Sequence, residues 1–215
     1  MSITIKKVEK VQFKKNMFKL YFDNGNNLTI LADTVVKFYL KPDISVSESD
    51  YDKLVSYDKS NRAMRDGLDL ISKKAYSEKS FKEKLAQKGY DTDVSNKVLL
   101  RLKELNYIND KNYAKNYASY LYKKGKGTAL INAELARQGL DKDLIKETLE
   151  GIKEESEPFK IILKILETKL HNKFKNFDGK DKNEIRKIIS FFSRKGFAFE
   201  DISKAIHIIV NRDNS

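Results

Sequence analysis

Between Tyr107 and Leu149 apolar residues recur at helical spacing, broken by short stretches that contain glycine. Tyr113, Tyr117, Tyr120 and Leu121 would share one face of a helix, a spacing that ordinarily marks the inner face. Asp110 is placed to cap that helix, and Gly125 and Gly127 to end it. Ile131 and Leu135 lie one turn apart on a second helix that stops at Gly139. Asp141 can cap a third, whose buried side is Leu144, Ile145 and Leu149.

The same plan recurs when the chain is aligned on that glycine. Eight residues before it stand Phe81, Ile131 and Ile188, four before it Leu85, Leu135 and Phe192, and then come Gly89, Gly139 and Gly196. One residue after it are Tyr90, Leu140 and Phe197; ten and thirteen after it are Leu99, Leu149, Ile206 and Leu102, Ile152, Ile209. No gap is needed, and the glycines lie 50 and 57 residues apart, a unit of the size found in helical arrays. The pattern predicts a mainly α fold: three tandem three-helix repeats, 61–110, 111–155 and 156–215, forming an elongated curved array. Within these columns every residue reads first as core packing or capping.

Residues 1–60 follow a different period. Ile3, Ile5, Val8 and Val11, then Phe18, Leu20 and Phe22, then Leu28, Ile30 and Ala32 follow the strand period. Asp23-Asn24-Gly25-Asn26 is a hairpin turn, with Gly25 able to take positive φ. A small α+β N-terminal domain with a three-stranded antiparallel sheet is expected. Short helices from Asp33 to Leu40 and from Ser47 through Tyr57 would cover its face. The polar run Asp58-Lys59-Ser60-Asn61 is the expected domain boundary, the alternative being that the helix continues through it.

Further helix signals complete the repeats. Ala63 to Lys74 carries Leu68 and Ile71 on one side, Ser77 caps the helix of Phe81 and Leu85, and Asp91 caps Val94 to Leu105. Ser156 with Pro158 opens a helix with Phe159, Ile162, Leu163, Leu166, Leu170 and Phe174 as its apolar positions. Asp181 with Glu184 resembles a capping box, and Asn211 to Ser215 should fray.

Composition narrows the function classes. The 215 residues include no Cys and no Trp, so neither a disulfide nor a thiolate metal site can form, in keeping with a cytoplasmic protein. The N-terminus lacks a secretory pattern, and no apolar run is long enough to span a membrane. Net charge is +12, and residues 61–215 carry +10 of it, which points to an anionic partner such as nucleic acid or an acidic protein surface. His171 and His207 lie at no metal-binding spacing, and His207, between two isoleucines, reads as a partly buried structural residue. Gly125-Lys126-Gly127 lacks the length and the Ser/Thr of a phosphate loop, and most carboxylates sit at helix starts, where capping accounts for them. No enzyme, metal or cofactor is expected. A HEAT-like base-processing enzyme would require a distinctive acid and an aromatic wedge.

One stretch stands out. Lys111 to Ala133 contains no acidic residue, and its lysines interleave with Tyr113, Tyr117, Tyr120 and Tyr122. Lys123, Lys124 and Lys126, beside a helix C-terminus and a glycine loop, could hold phosphate or acidic side chains. Arg137 before Gly139, and Arg194 and Lys195 before Gly196, could extend a basic stripe. An exposed tyrosine there could stack on a base, but Tyr113, Tyr117 and Tyr120 share a helical face and are expected to point inward.

Ser77-Glu78, Leu85-Ala86-Gln87-Lys88-Gly89-Tyr90, Leu102-Lys103-Glu104-Leu105-Asn106-Tyr107-Ile108-Asn109-Asp110 with Tyr113-Ala114, Gly127 and the run Ile131 to Leu140, together with Arg194-Lys195-Gly196-Phe197-Ala198-Phe199, form a linked series. It resembles the bacterial recombination regulator family RecX over about residues 63–210, and the strand-rich start resembles the extension of versions from Gram-positive bacteria. Lys73-Lys74-Ala75-Tyr76 lacks an Arg often found before the serine, and Asn109-Asp110 stands where two aspartates are usual. The resemblance implies a monomeric, non-enzymatic protein of DNA repair and the SOS response that binds the RecA filament on single- or double-stranded DNA. It would modulate ATP hydrolysis, strand exchange and filament growth, most often by inhibition. A basic helical-repeat module that binds DNA without the recombinase is the alternative.

Overall fold

The computed structural model describes residues 2–12, 16–155, 157–169 and 181–212. The readings made for Ser156, Leu170, His171, Phe174 and residues 213–215 lie outside them. The chain forms two compact units, Met1–Ala75 with Phe81–Tyr107, and Tyr76–Ser80 with Ile108–Ser215.

The first unit opens with an antiparallel sheet of β1 (Ser2–Lys10), β2 (Met17–Phe22), β3 (Asn27–Leu31) and, after α1 (Ala32–Lys37), β4 (Ser45–Ser47). The order is β3-β2-β1-β4. Gly25, at φ 82°, turns the hairpin, as its position between two alternating runs predicted. Strand β4 was missed by the sequence pattern, because a run of three residues with only Val46 turned inward shows no alternation to read. It pairs with β1 through Ile3 and Val46. Ile5, Leu20, Phe22, Ile30 and Val46 form the inner face, against Leu40 and Leu54.

Helix α2 (Glu48–Lys73) begins where expected, with Ser47 accepting the Asp50 N–H at 3.1 Å, but it does not end at Tyr57. It runs without a break through the polar stretch 58–61. The reason lies in Asp58, which is buried and anchors the helix to the sheet. Its carboxylate accepts from the Leu31 N–H at 2.7 Å, the Thr34 hydroxyl at 2.8 Å and Arg62 Nε at 2.6 Å, while Arg62 also donates to the Thr29 carbonyl at 2.6 Å. Burying this carboxylate is tolerable because every donor is in place. Further along, Gly67 lets α4 (Thr92–Glu104) approach: a Cβ there would stand 3.2 Å from Val98 Cγ1.

The remaining helices are α3 (Glu78–Gln87), α5 (Asp110–Lys123), α6 (Thr128–Arg137), α7 (Lys142–Glu155), α8 (Pro158–Lys169), α9 (Lys182–Arg194) and α10 (Phe199–Arg212). Asn211 and Arg212 therefore continue a helix instead of fraying. The repeat columns are core: Phe81, Ile131 and Ile188 are fully buried, as are Leu85, Leu135 and Phe192. Gly89, Gly139 and Gly196 take φ of 88°, 79° and 84°. After each, the next residue's N–H returns to the carbonyl five positions back: Tyr90 to Leu85 at 3.2 Å, Leu140 to Leu135 at 3.3 Å, Phe197 to Phe192 at 3.1 Å. Asp91, Asp141 and Asp181 cap their helices; Asp181 does so by accepting the Asn183 N–H, not through the capping box read with Glu184. At α5 the cap is Asn109, not Asp110; Asp110 instead accepts the Glu78 N–H at 2.9 Å. Among the described residues no helix is long and apolar enough to cross a membrane.

Candidate nucleic-acid and partner interface

In the second unit, the start of α6 abuts the turn that closes α9. The Gly127 N–H donates to the Lys195 carbonyl at 2.7 Å, and the Ala129 N–H to the Gly196 carbonyl at 3.1 Å. A Cβ on Gly127 would fall 2.2 Å from Gly196 backbone atoms, so no side chain fits. Gly127 thus opens α6 as its N-cap, whereas the sequence had it ending α5. This junction joins the loop of Lys123, Lys124 and Lys126 to the turn of Arg194 and Lys195.

An equivalent junction forms one repeat earlier, within the same unit. The Ser77 hydroxyl donates to the Gln138 carbonyl at 2.7 Å, and a Cβ on Gly139 would lie 2.2 Å from Lys79 Cδ. Ser77 stands in the column of Gly127, and Gln138 in that of Lys195. Gly139 and Gly196 therefore meet two demands, a left-handed backbone and contact with the preceding repeat's second helix.

Between these contacts lie the basic residues. Glu134 bridges two of them: its carboxylate takes Lys126 Nζ at 3.1 Å and Arg137 Nη2 at 2.7 Å. Arg137, and then Lys126, hold the Glu134 carboxyl below the usual range. The cluster spans α6, whose ten residues cover about 15 Å. Lys123 and Lys124 are exposed at the end of α5, and Lys124 Nζ sits 5.6 Å from the Tyr120 ring centre. Lys195 lies 5.1 Å over the Phe191 ring, and Arg194 Nε donates to the Ser190 carbonyl at 3.3 Å. The backbone of the Lys195-Gly196 turn meets the start of α6, and Arg137 stands at that helix's end.

Tyr113 and Tyr117 are partly buried against the core of this unit, as expected, whereas Tyr120 is exposed. Ala114, Ala118, Leu121 and Tyr122 fill the inner face of α5, and Tyr113, Tyr117 and Tyr120 form a half-exposed ladder beside it. Ring centres are 5.5 Å apart from Tyr113 to Tyr117 and 6.4 Å from Tyr117 to Tyr120, the second pair stacked; Tyr120 is 53% exposed. Helical spacing groups the tyrosines correctly but cannot say which side the core takes, and two alanines are a weak apolar signal. Burial raises the Tyr113 pKa above its ordinary value, with Arg137 acting in the opposite sense, which places that cation near the ladder. Glu134 is the part the sequence reading missed. His207 is exposed, not partly buried, and shares a 2.9 Å hydrogen bond with Asn211.

Two family models match in chain order. Residues 63–102 match RecX, first three-helix domain, and residues 109–149 match RecX, second three-helix domain. The regulatory protein RecX of Caldanaerobacter subterraneus subsp. tengcongensis is 25% identical over 195 residues, 91% of this chain and 94% of its own length. These matches, in order and over most of the chain, support the RecX family. The regulatory protein RecX of Streptococcus pneumoniae is 28% identical over 198 residues, covering 91% of this chain and 74% of that protein. A crystal structure of regulatory protein RecX shares the fold, with a TM-score of 0.68 at 19% identity, over 94% of this chain and 98% of that one. RecX from Lactobacillus salivarius gives a TM-score of 0.63 at 23% identity, over 72% of this chain and 98% of that one. Against the RecX domain limits, the tyrosine ladder and Arg137 fall inside the second three-helix domain, and Arg194 and Lys195 beyond it.

Proposed function

We propose that this RecX-family chain is a regulator without catalytic activity of its own, a cytoplasmic monomer that binds the RecA filament on DNA and restrains its ATP hydrolysis, strand exchange and growth. The observation that carries the reading is the tyrosine ladder flanked by Lys124, Lys126 and Arg137 on α5 and α6. The exposed Tyr120 ring, at the end of the ladder, offers a face on which an unpaired base stacks, and the adjacent cations track phosphates. Such a surface suits a filament that presents protein and single-stranded DNA together. Restraint needs only preferential binding to the filament state that turns over slowly. A titration of ATP turnover by the matching recombinase on single-stranded DNA tests this. Turnover falls as the chain approaches the stoichiometry of filament subunits; unchanged turnover removes the reading.

The +12 charge favours a second reading, in which the chain binds DNA independently of a recombinase. That version requires tight binding to naked DNA with a steep salt dependence.

A further inference from the structure

The turns at Gly139 and Gly196 are each covered by the start of the preceding repeat's second helix, through donors that meet the carbonyls of Gln138, Lys195 and Gly196. The equivalent turn of the first repeat, Lys88-Gly89-Tyr90, has the same glycine φ of 88° and the same closing hydrogen bonds. Yet a Cβ on Gly89 would meet nothing within 4 Å. Among the described residues no donor reaches the Lys88 or Gly89 carbonyl. Lys88 Nζ and the Tyr90 hydroxyl both turn to Asp66 of α2, at 3.3 and 3.0 Å, so the turn's long side chains leave its backbone open.

We propose that this open turn is a docking point for the N-terminal turn of a helix in the recombinase, in the mode the chain uses twice internally. The inference rests on the reading that the chain binds that filament. The C-terminal end of α3 carries partial negative charge and unpaired carbonyls, while a helix N-terminus carries the complementary partial positive charge and unpaired N–H groups. The first residue of the incoming helix has to be small or hydroxyl-bearing, as Gly127 and Ser77 are. Helix α3, which leads into this turn, carries Lys82, Glu83 and Lys84. A second copy of this chain does not supply the occupant. The starts of α3 and α6 are already engaged, three residues ahead of Phe81 and Ile131, and α9 begins six residues ahead of Ile188, which puts Glu184 inside the helix at the column of Gly127.

The test uses the full chain and the recombinase filament assembled on single-stranded DNA with a slowly hydrolysed ATP analogue. Gly89→Asn keeps a residue that tolerates left-handed backbone and extends it into the open space. The expected result is filament binding at least tenfold weaker, with an unchanged melting temperature and unchanged binding to naked DNA. Wild-type binding with Gly89→Asn equally tight overturns the docking turn alone. No binding by the wild type overturns the filament reading as well. Should Gly89→Asn fail to fold, a photo-crosslinker at the exposed Gln87 decides. Adducts mapping to the first turn of a recombinase helix support the proposal, and adducts only to DNA, or none, overturn it.

Discussion

Gly127 presents its backbone N–H to the carbonyl of Lys195 at 2.7 Å, with the two chains so close that a methyl group on Gly127 would overlap Gly196. The obstruction is backbone, which cannot swing aside as the tip of a side chain can. Gly127→Ala is therefore expected to destabilise the protein by about 3 kcal/mol, a fall of roughly 6–12 °C in melting temperature. Gly151→Ala, in α7 with open space around it, should instead stabilise by about 0.5–1 kcal/mol. Thermal unfolding of the two variants checks both signs.

Asp58 ties α2 to the sheet through the Leu31 N–H and the Thr34 hydroxyl. Asp58→Ala orphans both donors and releases Arg62, and should lower unfolding stability by about 2–3 kcal/mol. A denaturant titration that returns wild-type stability would show that this anchor contributes nothing.

Tyr120 is half-exposed and stacks on Tyr117. Tyr120→Ala should change stability by only about 0.5 kcal/mol, while binding to the filament on single-stranded DNA weakens by about 1–3 kcal/mol if a base stacks there. Measuring affinity and unfolding on one preparation separates these effects.

Glu134 neutralises Lys126 and Arg137. Glu134→Gln frees both, so binding to DNA should tighten, and the salt slope should steepen by about 0.9 for each additional phosphate contacted. Affinity measured across a salt series reads this directly; weaker binding would mean that Glu134 positions the cations instead of masking them.

Burial, and the hydrogen bond its hydroxyl donates to Asp66, push Tyr90 up to about 12. The folded value exceeds the ordinary value of about 10, so the stability Tyr90 contributes is complete below pH 10 and is lost as pH rises from 10 through 12. Ultraviolet absorbance titration should show one tyrosine ionising late, and Tyr90→Phe should remove that step.

Much of this was legible in the chain. The gapless columns of Phe81, Leu85, Gly89 and their counterparts located the helices and their caps, because helix period and left-handed glycine are local demands on the sequence. Asp58 was misread for the same reason: a polar run signals a loop when neighbours along the chain are all one can see, and its burial depends on Leu31 and Thr34, far away in sequence. The inward reading held for Tyr113 and Tyr117, which pack against the core, and failed for Tyr120, because spacing assigns residues to a face without saying where that face meets solvent.

Sequence by itself determined the repeated unit, its glycine caps and the positive charge, since each is written in residue types at fixed intervals. Tertiary structure alone decided that Gly127 is required by contact with Gly196, and that the turn at Gly89 stays open while its two counterparts are covered. Those outcomes depend on which surfaces meet when repeats pack, and no local pattern encodes the distance between atoms more than fifty residues apart.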